Sequence, residues 1–286
     1  MANVRDIKNR IKSIENIQQI TKAMKMVASA RIKKVERALK SRRPYCERLF
    51  EIIDEVMSQL DEPDAHPLLE KHQENGEGAL ALLVVTADKG LCGGYNMNVL
   101  RAADRFIRRS GRKVRLYVVG NKALRYFTRK LHAIDREYVV WEPGESLARE
   151  IAFFLAGEFI GRRFDELWCV YTQCVSLLSQ NVVEEPILPL RRCNENGREA
   201  ADIFEPSPAA TLELLLPRYF KELIMRILLD AKTAELSARI NAMANATENA
   251  ESVVDELRLN YYRARQDAIT TEILEVTSGA EKLSRK

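Results

Sequence analysis

Glycine and proline are missing from two long stretches of this 286-residue chain. Residues 1–43 contain neither, and residues 218–278 contain neither over 278 − 218 + 1 = 61 positions. Their absence excludes the turns that would divide such stretches into short elements, so two very long helices are predicted. At 1.5 Å of rise per residue the C-terminal one spans about 90 Å, which excludes burial inside a globule and predicts a projecting shaft.

Other absences narrow the chemistry. The five cysteines are odd in number and form no Cys-x-x-Cys pair, which argues against a disulfide framework and for reduced thiols in a cytosolic setting. Cys169 and Cys174 fall at odd spacing in a predicted strand, on opposite faces and about 17 Å apart, too far to bridge. Three scattered histidines, His66, His72 and His132, are too few for a zinc site, and neither a metal nor a cofactor is expected. The longest strongly apolar run, 79–87, has nine residues against the roughly 20 that cross a bilayer. The basic, amphipathic start has the character of a mitochondrial presequence, but its apolar repeat continues past Val35, so it reads as mature helix.

What is present is a period. Val4, Ile7, Ile11, Ile14, Ile17, Ile20, Met24, Val27, Ile32, Val35 and Leu39 cover 35 residues in ten steps, an average of 3.5. That is the left-handed coiled-coil repeat, with a short step from Ile14 to Ile17 and a long one from Val27 to Ile32. A matching stripe runs through Leu212, Leu216, Tyr219, Leu223, Ile227, Ala231, Ala234, Ala238, Ala242, Ala246, Ala250, Val253, Leu257, Tyr261, Ala264 and Ala268. Its alanines let two backbones approach closely. An antiparallel pair of terminal helices is predicted.

Charge is uneven. Residues 1–50 hold 14 Lys and Arg against 4 Asp and Glu, or +10, which leaves 4 − 10 = −6 for the rest. A basic helix of this kind meets nucleic acid, anionic lipid or an acidic protein surface, or is simply solvated. No aromatic residue precedes Tyr45, so the stacking platforms of a single-strand binder are missing, and nucleic acid is not the expected partner.

The middle of the chain changes period after an acidic, Pro- and Gly-containing linker, 61–78. Residues 79–86 and 113–119 read as buried strands followed by helices at 96–109 and 121–129. A strand at 136–141, a helix at 145–162, a strand at 166–172 and an extended, proline-interrupted edge at 181–190 complete the pattern. The predicted fold class is α/β plus a long coiled coil: antiparallel terminal helices around a small, mainly parallel, Rossmann-like domain. The predicted segments are an N-terminal helix 1–60, the linker 61–78, an α/β foot 79–205 and a C-terminal helix 206–286.

The loop after the first strand contains Asp88, Lys89, Gly90, Leu91, Cys92, Gly93, Gly94, Tyr95 and Asn96, where open sheets usually bind ligands. It lacks the Gly-Lys-Ser/Thr ending of a phosphate loop and the Gly-x-Gly-x-x-Gly order of a dinucleotide site. Cys92 has no histidine near it in sequence, and no catalytic residue is assigned. The glycines instead permit a tight turn and close backbone approach. From the residues alone, a cytosolic α/β enzyme with a coiled-coil arm and a basic coiled-coil nucleic-acid binder remain alternatives.

Three motifs carry a resemblance across the whole chain. They are Ile20-Thr21-Lys22-Ala23-Met24-Lys25-Met26-Val27-Ala28, the Asp88–Asn96 loop, and the stretch from Ala238 to Ala250 followed by Arg265-Gln266-Asp267-Ala268-Ile269-Thr270. In order and spacing the chain resembles the γ subunits of F-type ATP synthases. That resemblance implies a rotor turning inside a ring of three α and three β subunits. Its α/β foot would dock on the ε subunit and the ring of c subunits, peripheral to the cytoplasmic face of a bacterial inner membrane. It implies a non-catalytic subunit of the proton-translocating complex, with the nucleotide chemistry on the β subunits.

The same resemblance implies roles for single residues. Lys12, Lys22, Lys25 and Arg31 would lie near an acidic β-subunit surface, Arg265 and Gln266 would bond the β catch region, and Met24, Glu235, Arg239 and Met243 would belong to stretches tied to coupling. Met24 and Met243 are equally suited to filling the seam between the helices. Tyr262 stands where many bacterial relatives have asparagine, and Ala234 where serine is frequent. The redox insert of chloroplast relatives is missing, Cys193 being the sole cysteine between Leu190 and Ile203.

Overall fold

The computed structural model describes residues 4–58, 66–70, 72, 78–176, 179–190 and 207–284. Most of the predicted linker, Cys193, and Glu205 with Pro206 lie outside them. The elements in chain order are α1 (Val4–Ser58), β1 (Leu80–Val85), α2 (Tyr95–Ser110), β2 (Val114–Val119), α3 (Asn121–Arg129), β3 (Ile134–Tyr138), α4 (Glu145–Ile160), β4 (Glu166–Cys174), β5 (Gln180–Leu188) and α5 (Pro208–Ser284). Both terminal helices run through a proline, Pro44 in α1 and Pro217 in α5. The chain forms two compact units, one of residues 1–27 with 240–286 and one of residues 28–239.

The larger unit is built on a five-stranded sheet in the order β3-β2-β1-β4-β5. The first four strands are parallel and β5 closes the edge antiparallel to β4. Pro186 sits on that edge strand, where its missing N–H leaves no inner ladder bond unmade. All six residues of β1 are buried, as a central strand covered on both faces requires. Its side chains alternate: Ala81, Leu83 and Val85 enter one core, Leu80, Leu82 and Val84 the other.

The two cores are covered differently. One is roofed by α2 and α3 through Val99, Leu100, Phe106, Ala123 and Phe127. The other is roofed by α4 together with the ends of the long helices, Leu49, Ile53 and Val56 of α1 and Leu212, Leu216, Phe220, Ile224 and Leu228 of α5. The terminal helices are thus part of the α/β core. A buried polar tie fixes them there: Glu222, 4% exposed, accepts from Arg42 at 2.9 Å and from Lys221 at 2.9 Å, and both cations also bind Glu145 at the start of α4.

The smaller unit is an antiparallel pair of helical segments. Glu15 pairs with Arg258 at 2.9 Å and Thr21 meets Thr247 at 2.8 Å, so the numbering rises on one helix as it falls on the other. Along α1 one line of buried and half-buried positions, among others, runs through Ile7, Ile11, Ile14, Gln18, Thr21 and Met24 in this unit and on through Ala28, Ile32, Val35, Leu39, Arg42, Cys46, Leu49, Ile53 and Val56 in the larger one. From 7 to 56 that is 49 residues in 14 steps, or 3.5 per step. The predicted stripe departs from this seam at three places: Ile17, Ile20 and Val27 are 52%, 59% and 53% exposed. On α5 the seam takes Met243, Thr247, Ala250, Val254, Leu257, Tyr261 and Ala264, so that Val254 replaces the expected Val253.

Candidate functional site

The β1 loop is a joint between the sheet and α5. β1 ends at Val85 and the loop turns above the C-terminal ends of the strands, where Asp88 serves three backbones. Its Oδ1 accepts from the Asn121 and Val140 amides at 3.0 Å each, and its Oδ2 accepts from Trp141 N–H at 2.8 Å. One carboxylate thereby holds the start of α3, where negative charge suits the helix dipole, and the segment between β3 and α4. Asn96 closes the loop on itself, its Oδ1 accepting from Ala87 N–H at 3.0 Å and its Nδ2 reaching Cys92 Sγ at 3.1 Å. Gly120 allows a close crossing at this point. Its φ is +97°, and a Cβ would lie 2.2 Å from the Thr86 carbonyl oxygen.

Several contacts reach α5 from this loop and its neighbour. Tyr95 donates its hydroxyl to the Ala231 carbonyl at 3.0 Å, and Ala87, Cys92 and Tyr95 pack with Ala234 and Ala238. Arg239 binds Glu235 at 2.5 Å and donates to the Gly90 carbonyl at 3.3 Å. Lys232 lies 3.3 Å from Glu235, 3.5 Å from Glu142 and 5.1 Å from the centre of the Trp141 ring. That indole in turn donates to the Thr86 carbonyl at 3.0 Å. Val140, a β-branched residue, stands at φ +54° beside these contacts; such strain persists only where surrounding contacts hold it.

Chemically, the loop is occupied with structure. Cys92 is 1% exposed, and burial pushes its thiol up from the ordinary range, away from the thiolate that a nucleophile needs. Burial, with Glu235 next, holds the Tyr95 hydroxyl far above its usual value, so it remains a donor. No group of metal-binding side chains occurs among the described residues.

The structure brings Asp88, Gly90, Cys92, Glu235 and Arg239 together, along with Ala234, which is fully buried. Lys89 and Gly93 are exposed, Gly94 stands at the start of α2, and Arg31 lies 4.0 Å from Glu142. The remaining residues singled out from the sequence belong to the smaller unit. Lys12, Lys22, Lys25, Arg265 and Gln266 are exposed there, Met24 is half-buried, Met243 lies in the seam at 4% exposure, and Tyr262 is exposed. Sequence reasoning missed Trp141 and Lys232, which no motif marks, and Thr21 with Thr247, whose polarity removed them from an apolar stripe.

Fold and joint together define a class: a three-layer α/β unit clamped onto one of two helices that, elsewhere in the chain, pair antiparallel. The family described as ATP synthase matches residues 3–283. The ATP synthase gamma chain of Pelotomaculum thermopropionicum is 41% identical over 289 residues, covering 99% of this chain and all of the relative. That of Desulforamulus reducens is 39% identical over 289 residues with the same coverage. A chain in the mitochondrial ATP synthase of Euglena gracilis, solved with OSCP, F1 and c-ring in rotational state 3, shares the fold. Its TM-score is 0.69 at 17% identity, over 98% of this chain and 94% of that one. This chain belongs to the ATP synthase gamma chain family.

Proposed function

We infer that this chain is the central stalk of an F-type ATP synthase, the rotor that couples turning of a membrane ring to ATP synthesis or hydrolysis on other subunits. The observation that carries this reading is the joint itself: the α/β unit grips α5 through Tyr95, Arg239, Lys232 and the buried Ala234 patch. Torque applied to the unit therefore enters α5 through several contacts. A shaft changes nucleotide affinity only by presenting different contacts to sites in different states.

The smaller unit offers such contacts. Ile17, Ile20, Met26 and Val27 on α1, and Leu259, Tyr262, Ile269, Ile273, Leu274 and Val276 on α5, are exposed large apolar residues, with Lys12, Lys22, Lys25 and Arg265 among them. A surface so rich in apolar groups is suited to cover by partners. In this reading the partners are the α and β subunits around the helices, with ε and the c subunits at the foot, formed by the predicted segment 79–205. The assembly lies at the cytoplasmic face of a bacterial inner membrane. No described helix is long and apolar enough to cross a membrane, so attachment runs through the complex.

The test is recovery of the assembly. The tagged chain, extracted under mild detergent from its own cells, is expected to bring down a hexameric ATPase and a c ring. Recovery of the chain without an ATPase refutes the assignment.

A further inference from the structure

The outer layer of the α/β unit carries a second concentration of positive charge. Residues 95–133 hold 11 Lys and Arg against one acid, Asp104, or 11 − 1 = +10. Together with the +10 of residues 1–50, that leaves 4 − 10 − 10 = −16 for the remainder. Four of the eleven are paired: Lys130 with Asp104, Arg109 with Glu184, Arg112 with Glu166, and Arg115 with Asp135. Arg101, Arg105 and Arg108 on α2, and Lys122, Arg125 and Arg129 on α3, make no ion pair among the described residues.

Their placement is regular. The α2 cations follow i, i+4, i+7 and the α3 cations i, i+3, i+7, so each set forms one stripe along its helix. Both helices turn their apolar sides to the same face of the sheet and are locked together by Tyr126, whose hydroxyl donates to Asp104 at 2.6 Å. All of these cations are exposed except Lys122, which is half-buried. Favourable charge at a helix C-terminus accounts for Arg108 and Arg129. It does not reach Arg101, Arg105 or Arg125, whereas Lys122, whose ammonium lies beside Gly90 of the β1 loop, belongs to the joint rather than to this face. Like charges at this spacing weaken a helix.

We propose that the α2–α3 face docks on an anionic phospholipid surface. The partner must be negative and broad enough to meet two adjacent helices. Guanidinium forks match phosphate oxygens two at a time. Phe106 and Phe127 are turned into the core, and the half-buried Tyr126 is held by Asp104 with Lys130 over its ring at 4.6 Å, so unpaired nucleic-acid bases find no free ring to stack on at this face among the described residues. The choice of lipid over an acidic protein rests on the proposed stalk role, which holds the chain beside a bilayer.

Vesicle co-sedimentation of the full chain tests the contact without the rest of the assembly, so its failure leaves the co-purification result untouched. The chain is expected to bind phosphatidylglycerol–phosphatidylcholine vesicles and not pure phosphatidylcholine, with binding weakened by salt. R105Q/R108Q/R125Q should lower partitioning about 100-fold, while K33Q/K34Q/R37Q on the exposed basic face of α1 should lower it less than about threefold. Circular dichroism checks that both variants keep their helices, and slowed amide exchange in α2 and α3 on vesicles provides a readout free of substitution. Equal loss in both variants, binding indifferent to lipid charge, or binding to polyglutamate but not to vesicles overturns the proposal.

Discussion

Thr21 and Thr247 meet hydroxyl to hydroxyl at 2.8 Å across the helix pair of the smaller unit. Each is also placed to donate to its own helix, Thr21 to the Gln18 carbonyl at 2.9 Å and Thr247 to the Met243 carbonyl at 2.7 Å. Two protons are available for three hydrogen bonds, so the cross-helix bond forms at the expense of one backbone bond.

A double-mutant cycle measures that bond. Thr21→Val and Thr247→Val should each destabilise the chain by about 0.5–1 kcal/mol in urea unfolding, since the remaining hydroxyl keeps its backbone acceptor. The double variant should cost less than the sum, because replacing both partners leaves no polar group stranded. Strict additivity would show that the two hydroxyls do not interact.

Asp88 is the pin of the joint. Asp88→Ala leaves the Asn121, Val140 and Trp141 amides without their acceptor and uncaps α3, at an expected cost of about 2–4 kcal/mol. Asp88→Asn keeps one accepting oxygen and should fall between the Ala variant and the parent. Denaturant midpoints check the order, and an Ala variant as stable as the parent would show that Asp88 does not hold the joint.

Asp230 sets a pH dependence. It is 7% exposed on α5, and burial, with Glu185 adding to it and Arg226 opposing it, raises its carboxyl to about 6. The folded chain therefore holds this proton more tightly than the unfolded chain, whose carboxyl titrates near 4. Below that pH both states are protonated and no penalty exists. Stability falls as pH rises from about 4 to 6, and above 6 the full penalty, about 3 kcal/mol, is present. Asp230→Asn should leave stability nearly unchanged at pH 4 and raise it by up to that amount at pH 8. Parallel melting curves at the two pH values would contradict the assignment.

On the stalk role proposed above, the exposed cations of the helices bear on coupling rather than folding. Replacing Lys12, Lys22, Lys25 and Arg31 together with glutamine should change the chain's own stability by no more than about 0.5 kcal/mol. ATP-driven proton pumping by the reassembled complex should fall. Unaltered ATPase and pumping would count heavily against contact with an acidic partner surface.

The long helices and the alternating strands of the α/β unit were legible because their signals are continuous: 61 residues without a breaker, and a six-residue apolar run for β1. The phase of the seam was not. The short step from Ile14 to Ile17 and the long one from Val27 to Ile32 bracket the stretch where the buried line leaves the isoleucines and passes through Gln18, Thr21 and Ala28. A stripe chosen by hydrophobicity follows the larger side chains, whereas close helix packing selects small ones. The joint was half legible. Its glycines announced a close approach, but nothing local to the loop named Ala231 or Arg239 as its counterpart some 140 residues later.

The 3.5-residue advance of the buried line has a consequence for handedness. A helix turns every 3.6 residues, so two helices that keep such a line in contact wind about each other to the left. A left-wound rope tightens under twist of one sense and slackens under the other. For the paired segments of the smaller unit, twist of the two senses is therefore expected to meet unequal resistance, a bias written into which residues face inward.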